Sequence, residues 1–334
     1  MSGSATFTFD DPIPYQAAIR GGEVAVSVTA KGDFRAELIQ VDFDTLWMQS
    51  GWENLPRVIR SMVSPNRAVV FFLADADQPT LQYGGLELHS DVIAANRPSA
   101  LIHIRSQHPC RWAAMSLPPK SLSAASRALL GRELTNLPEL HFVHPSINRM
   151  TRLVRLHAAV RQLTDTAPDI LFKPEVCRTM EHELIHSMVT CLADEECTNV
   201  RSAWRQHTAI IHRFEDVLAA NCERPMYLTE ICAAVGVSER TLRLSCQEHL
   251  GMGPIRYLWL RRMHLARRAL LHTEPAKATV TQIATDHGFW ELGRFSVAYQ
   301  ALFGEPPSVS LHKPPDFHRA IQTAPLSFGD SVFA

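Results

Sequence analysis

The sequence predicts an α+β chain of more than one domain. An antiparallel β-barrel or sandwich with a helical appendage comes first, and an all-α domain with two helix-turn-helix units joined by a long helix follows. Three observations carry this reading: short β-branched and aromatic runs up to Met115, longer segments with a 3.6-residue period after Pro118, and an internal repeat near the C-terminus. The 334 residues suit about two domains of ~150 residues each. With 46% hydrophobic and 20% charged residues the chain can bury a core, which excludes a mainly disordered or collagen-like protein.

The strands are expected where β-branched residues run between Gly, Pro and Asp: Val24 to Val28, Phe34 to Phe43, Ala68 to Leu73, Leu81 to Leu88 and Leu101 to Arg105. After Pro118-Pro119 the helical period sets in, around Ser121 to Leu130, Ser146 to Leu163, Pro174 to Leu192 and Asn199 to Ala220. Asn221 to Pro225, with Arg224-Pro225, breaks that pattern before a last helical block, and the chain past Pro314-Pro315 reads as a flexible tail. The expected divisions are therefore 1–118 (β-rich), 119–213 (helical linker), 214–313 (helical block) and 314–334 (tail).

The last block is built twice. Ile231-Cys232 with Gly236 aligns with Ile283-Ala284 and Gly288. One residue of slippage then pairs Leu242 with Phe295, Cys246 with Tyr299, Leu250 with Phe303, Gly251 with Gly304 and Pro254 with Pro307. Each copy reads as a short helix with a small residue, a Gly at a turn that needs positive φ, and a second helix starting near Ser238 or Glu291. That order is helix-turn-helix grammar, and its repetition separates it from an ordinary helical hairpin.

On the second helix of the first copy, Leu242, Cys246, His249 and Leu250 share one side. Arg240, Arg243, Leu244 and Gln247 point the other way, with Thr241 on the flank. Arginines on such a face reach base edges or phosphates when the helix lies in a major groove. In the second copy Phe295, Tyr299 and Leu302 form the buried stripe, and Gly293, Ser296, Val297 and Gln300 point outward with Arg294 on the flank. Ser238, Arg240, Thr241, Arg243, Leu244 and Gln247 are the candidate contacts of the first unit, which should discriminate bases more. Leu292, Gly293, Arg294 and Val297 are those of the second, which positions the chain and offers apolar contact to a thymine methyl.

Between the copies, Pro254 to Leu271 reads as a connecting helix with an expected packing stripe of Ile255, Trp259, Met263, Ala266 and Leu270. It carries Arg256, Arg261, Arg262, Arg267 and Arg268 and no acid, while the whole chain sums to −1 (33 basic against 34 acidic residues). Any attraction to a polyanion is therefore local.

These residues resemble the AraC/XylS family of transcriptional regulators. The resemblance rests on Ile231 to Leu242 (ICAAVGVSERTL), Arg261 to Leu271 (RRMHLARRALL) and Gly288 to Pro307 (GFWELGRFSVAYQALFGEPP), and covers about Phe214 to Leu311. Cys246 stands where the family usually has a core Phe, and Cys232 where it usually has Ala. The resemblance implies a seven-helix DNA-binding domain, double-stranded promoter DNA and RNA polymerase as partners, and activation as the mode of regulation. More weakly, the N-terminal part resembles the sensor domain of the XylS-like branch, which implies an unidentified small-molecule effector and a homodimer. Trp47, Phe71, Tyr83, His103 and Trp112 are the residues expected near the barrel interior.

Two other chemistries are written in the sequence. His182-Glu183-Leu184-Ile185-His186 is a literal H-E-x-x-H, which on a helix sets two imidazoles on one face for zinc and a carboxylate to activate water. A zinc hydrolase needs a third ligand, for which Asp194, Glu195, Glu196 and His207 are candidates, but Val189 replaces the Gly of the extended motif. Cys177, Cys191 and Cys197 suggest a thiol redox sensor, without a C-x-x-C pair to support it. Ordinary packing is the expected role of both groups, so no metal, no cofactor and no enzyme activity is expected. Seven scattered cysteines fit a reducing compartment. With no basic-apolar leader in Met1 to Pro14 and no apolar run of ~18 residues, a cytoplasmic protein without a membrane partner is expected.

Overall fold

The computed structural model of the chain describes residues 3–134, 140–171, 173–194, 202–221 and 226–313. Its N-terminal part contains β1 (Gly3–Phe9), α1 (Pro12–Ala18), β2 (Gly22–Val28), β3 (Ala36–Asp42), β4 (Trp47–Glu53), β5 (Arg57–Val63), β6 (Ala68–Leu73), β7 (Leu81–Tyr83), β8 (Leu86–Leu88), β9 (Ile93–Asn96), β10 (Leu101–Ser106) and β11 (Cys110–Leu117). Then come α2 (Pro119–Leu130), β12 (Leu140–Val143), α3 (Ile147–Thr166), α4 (Pro168–Leu171), α5 (Pro174–Leu192) and α6 (Ser202–Ala220). The C-terminal part holds α7 (Leu228–Val235), α8 (Glu239–Leu250), α9 (Pro254–His272), α10 (Val280–Asp286), α11 (Leu292–Phe303) and α12 (Pro307–Leu311).

The strands form an antiparallel sandwich, with one sheet in the order β1-β3-β4-β11-β6-β9-β12 and the other β2-β5-β10-β7-β8. Alternation along each strand sorts its side chains between two environments. Leu38, Ile59, Phe71, Ile102 and Trp112 meet between the sheets. Met48, Phe72 and Met115 face outward from the seven-stranded sheet, where Leu153 of α3 and Leu184 and Met188 of α5 cover them. The run expected over Leu81 to Leu88 is a hairpin, because Gly84 and Gly85 both take positive φ and turn the chain in two residues.

Two boundaries differ from the sequence reading. The segment 119–213 is not purely helical, since β12 pairs with β9 and completes the larger sheet. The division expected after residue 213 falls inside α6, whose Ile210, Ile211, Phe214 and Leu218 pack as one face into the core of the first repeat unit. The break at Arg224-Pro225 and the tail 314–334 lie outside the described residues. Among the described residues no helix is long and apolar enough to cross a membrane.

The connecting helix α9 packs on more than one side. Met263, Ala266 and Leu270 are buried as expected, but Ile255 is exposed and Trp259 only half-buried, with the Arg256 guanidinium 4.3 Å from its ring centroid. Tyr257, Leu260, Arg267 and Leu271 are buried instead. Leu260 joins the core of the second unit and Tyr257 that of the first, where it also meets His103 of the sandwich, and the sandwich covers a further flank of the helix. On that flank Arg267 pairs with buried Asp11, 256 residues away, and with Glu305 at 3.0 Å, while His264 Nε2 donates to Val28 O at 3.3 Å.

Glu215 of α6 is the centre of the junction. It is 1% exposed, and its carboxylate meets His103 Nε2 at 3.0 Å, the Tyr257 hydroxyl at 2.5 Å, Arg261 Nη1 at 3.1 Å and Arg60 Nε at 3.2 Å. Burial pushes its pKa up, but hydrogen bonding and charge from His103, then Arg261 and Tyr257, prevail and hold it down at about 2. The five-stranded sheet thus contributes Arg60 and His103 to a buried ionic knot with α6 and α9.

Three histidines, His157 and His249 buried and His264 half-buried, make stability depend on pH. Burial lowers His157 to about 4, His249 to about 3 and His264 to about 4. Each binds its proton more readily in the unfolded chain, at about 6.5, so its contribution is full above that pH and is lost as pH falls towards the folded value. Thermal denaturation is therefore expected to show a Tm that falls steadily from pH 7 to pH 4, with His157 alone accounting for on the order of 3 kcal/mol by pH 4. A flat Tm across that range would contradict it.

Candidate nucleic-acid interface

Each repeat folds as a short helix, a turn and a longer helix. Gly236 (φ 74°) and Gly288 (φ 77°) take the left-handed conformation that an L side chain resists at about 1 kcal/mol or more. The Gly236 N–H closes α7 onto Cys232 O at 2.9 Å, and the Ser238 hydroxyl caps α8 by accepting from the Thr241 N–H at 3.2 Å. In the second unit Thr279 caps α10 in the same way, accepting from the Gln282 N–H at 3.2 Å.

The inward faces are those the periodicity assigns. Leu242, Cys246, His249 and Leu250 are buried in the first unit, and Phe295, Tyr299 and Leu302 in the second. The outward faces are uncovered, with Arg240, Arg243, Leu244 and Gln247 of α8 exposed, as are Gly293, Arg294, Val297 and Gln300 of α11. Arg240 makes no hydrogen bond or ion pair among the described residues, and Arg243 is held on the same surface by Glu239 Oε1 at 2.8 Å. Arg294 pairs with Glu291 at 2.8 Å. The first unit therefore presents two guanidinium forks, and the second an apolar patch in which Val297 is 71% exposed.

Some candidate residues are engaged elsewhere. Ser238 spends its hydroxyl on the cap, and Thr241 is half-buried beside it, 2.8 Å from the same oxygen. Leu292 is not an outward residue; it packs on the second core, because positions 292, 295, 299 and 302 lie on one helical face. The periodicity also missed Trp290, 75% exposed just before α11, since a turn residue belongs to no helical wheel. Of the connector's arginines, Arg256 and Arg268 are exposed, whereas Arg261 and Arg267 are neutralised by Glu215 and by Asp11 with Glu305.

The five residues expected near the barrel interior divide. Phe71, Tyr83 and Trp112 line a cavity of about 60 Å³ between the sheets, together with Arg57, Asn96 and Ile104. Trp47 sits at the start of β4 outside that lining, its ring 3.8 Å from the Arg67 guanidinium. His103 points away from the cavity to Glu215, because Ile102 and Ile104 take the inward phase of β10.

The side chains of the other two chemistries have the following surroundings among the described residues. His182 and His186 share α5, but Glu183 accepts from Arg152 Nη2 at 2.5 Å. Asp194 accepts from the Ser146 N–H at 3.0 Å, and His207 pairs with Glu248. Glu195 and Glu196 lie outside the described residues. Among the described residues no three side chains gather as metal ligands. Cys191 and Cys246 are buried, and burial first, then nearby acidic charge, pushes each thiol up to about 12, which disfavours the reactive thiolate. Cys197 lies outside the described residues.

A β-sandwich joined to paired helix-turn-helix units defines the class, a double helix-turn-helix protein with an appended β-rich module. Residues 231–312 match the helix-turn-helix domain family. The probable thc operon regulatory protein of Rhodococcus erythropolis is 39% identical over 106 residues, 32% of each chain. The XylDLEGF operon transcriptional activator 2 of Pseudomonas putida is 30% identical over 129 residues, 38% of this chain and 82% of that one. The chain thus spans about a third of the length of the first of these relatives and most of the second. The AraC-like transcriptional activator CuxR has a solved structure that aligns over 79% of this chain and 95% of its own, at 14% identity and a TM-score of 0.39. The chain belongs to the AraC/XylS family.

Proposed function

We propose that the chain is a sequence-specific regulator of transcription that binds double-stranded DNA through α8 and α11. The observation that carries the reading is the division of each helix. Its apolar face is spent on the core, while arginine, glutamine and apolar side chains stand uncovered on the other, beside a turn that orients them. α9 fixes the separation of the two units, so that they can enter successive major-groove segments on one face of B-DNA, about 34 Å apart.

The remaining parts of the proposal are those the family implies: activation through RNA polymerase, a homodimer, a cytoplasmic setting, and a small molecule bound in the sandwich that biases domain arrangement and hence DNA affinity. The divisions at 118 and 313 belong to the same reading, with α6 spanning the one near 213. Selection of bound duplexes from random DNA by the purified chain tests it. A consensus of two short blocks is expected, and recovery of unselected sequence would overturn the reading.

A further inference from the structure

We propose that the sandwich cavity takes a small uncharged molecule carrying both a hydrogen-bond acceptor and a donor, such as a short primary amide or alcohol, and rejects carboxylates. The proposal rests on reading the sandwich as the ligand-binding module. Its walls are apolar, from Ile59, Val63, Val69, Phe71, Ile104 and Trp112. Two arginines reach it, Arg20 and Arg57, and both already have their counter-charge. Arg57 Nη2 lies 2.7 Å from Glu53 Oε2, with both side chains at most 1% exposed, and Arg20 Nη1 lies 2.5 Å from Asp42. Glu53 cannot easily swing away, since its other oxygen accepts from Trp112 Nε1 at 3.0 Å and from the Tyr15 hydroxyl. An anion entering here would place an uncompensated charge in an apolar enclosure, which is strongly unfavourable.

What the cavity leaves unmatched is hydrogen-bonding capacity rather than charge. Asn96 Oδ1 is buried without a hydrogen-bond partner, and Arg57 Nε and Nη1 are buried with only the Cys110 thiol beside the guanidinium. Asn96 Nδ2 donates to the Tyr83 hydroxyl at 2.5 Å, so that hydroxyl keeps its own proton to donate. Donors from Arg57 and Tyr83 and an acceptor from Asn96 therefore line one cavity. A carbonyl or hydroxyl oxygen satisfies the first two, and an N–H or O–H of the same ligand satisfies the third. At about 60 Å³ the cavity is under half the ~150 Å³ that admits benzene, which sets the ligand at a few heavy atoms.

Isothermal titration of the full chain at pH 7 with propionamide and with propionate, molecules of equal skeleton and different charge, tests this. One-to-one binding of propionamide is expected, about tenfold or more tighter than propionate. Asn96→Ala should weaken it about tenfold, and Ala114→Leu, which fills the cavity, should abolish it. If Ala114→Leu fails to fold, Val69→Phe from a half-buried wall position is the second plug. Equal affinity, preference for propionate, no binding of either, or propionamide binding that survives the plug overturns the proposal. The DNA selection above is scored separately, so a flat titration with an intact consensus sinks this inference alone, and a lost consensus sinks the DNA reading alone.

Discussion

Glu215→Gln is expected to lower the stability of the folded chain by about 3–5 kcal/mol, the range for removing one partner of a buried ionic group. The carboxylate holds Arg60, Arg261 and His103 together from the sandwich and from α9, so its loss leaves the half-buried Arg60 and Arg261 guanidiniums without the carboxylate charge that compensates them. The amide keeps the shape and one acceptor oxygen, and the expected defect is therefore electrostatic rather than steric. Denaturant unfolding gives the magnitude, and hydrogen exchange should show faster opening along β10 and α9 than in the wild type. The dependence on pH runs in a known direction: the folded pKa lies below the unfolded one, so the wild-type contribution is full above about 4.5 and fades as pH falls towards about 2. A stability change under about 1 kcal/mol would mean that apolar packing on Val58 and Tyr257 holds the junction without the ionic knot.

Arg240→Ala is expected to cost about 1–3 kcal/mol at the selected DNA site and to relax base preference at one position, as loss of a bidentate base contact does. Arg243→Ala should lose less, because breaking its exposed pair with Glu239 offsets a few tenths of a kcal/mol of what DNA contact supplies. Leu244 is 57% exposed on the same face, and in the proposed complex it is expected to offer apolar surface to the neighbouring bases. Measured affinities on selected and on random duplexes decide the role. Loss confined to the selected site marks base reading, and equal loss on both marks a phosphate contact. The first unit should show larger effects than Arg294→Ala in the second, whose outward face has a single long cation already paired with Glu291.

How far the sequence reached depended on whether a feature is local. The 3.6-residue period placed Leu242, Cys246, Phe295 and Tyr299 inward and Arg240, Arg243 and Val297 outward, because packing within a hairpin repeats along the chain. The period could not show that a second body would cover α9, which is why Ile255 was expected inward and Tyr257 and Arg267 were not. Asp11 and Arg267 are 256 residues apart, and nothing in either neighbourhood announces the pair. For the strands the alternation was visible but its phase was not, so His103 was placed with Phe71 although it faces Glu215. β12 was hidden for another reason: four residues in a helical stretch carry too little pattern to be distinguished. Arg57 and Asn96 do carry a local signal, since a polar residue inside an apolar strand run is a candidate for a partner within the core.

The proposed DNA recognition needs two reading helices held at a fixed separation by α9. Hydroxyl-radical footprinting of the purified chain on its selected duplex measures that separation directly. Two protected patches centred about 10 base pairs apart on one face of the helix are expected for each bound chain, with Arg240→Ala weakening one patch first. A single patch per chain, or two on opposite faces of the duplex, would contradict it.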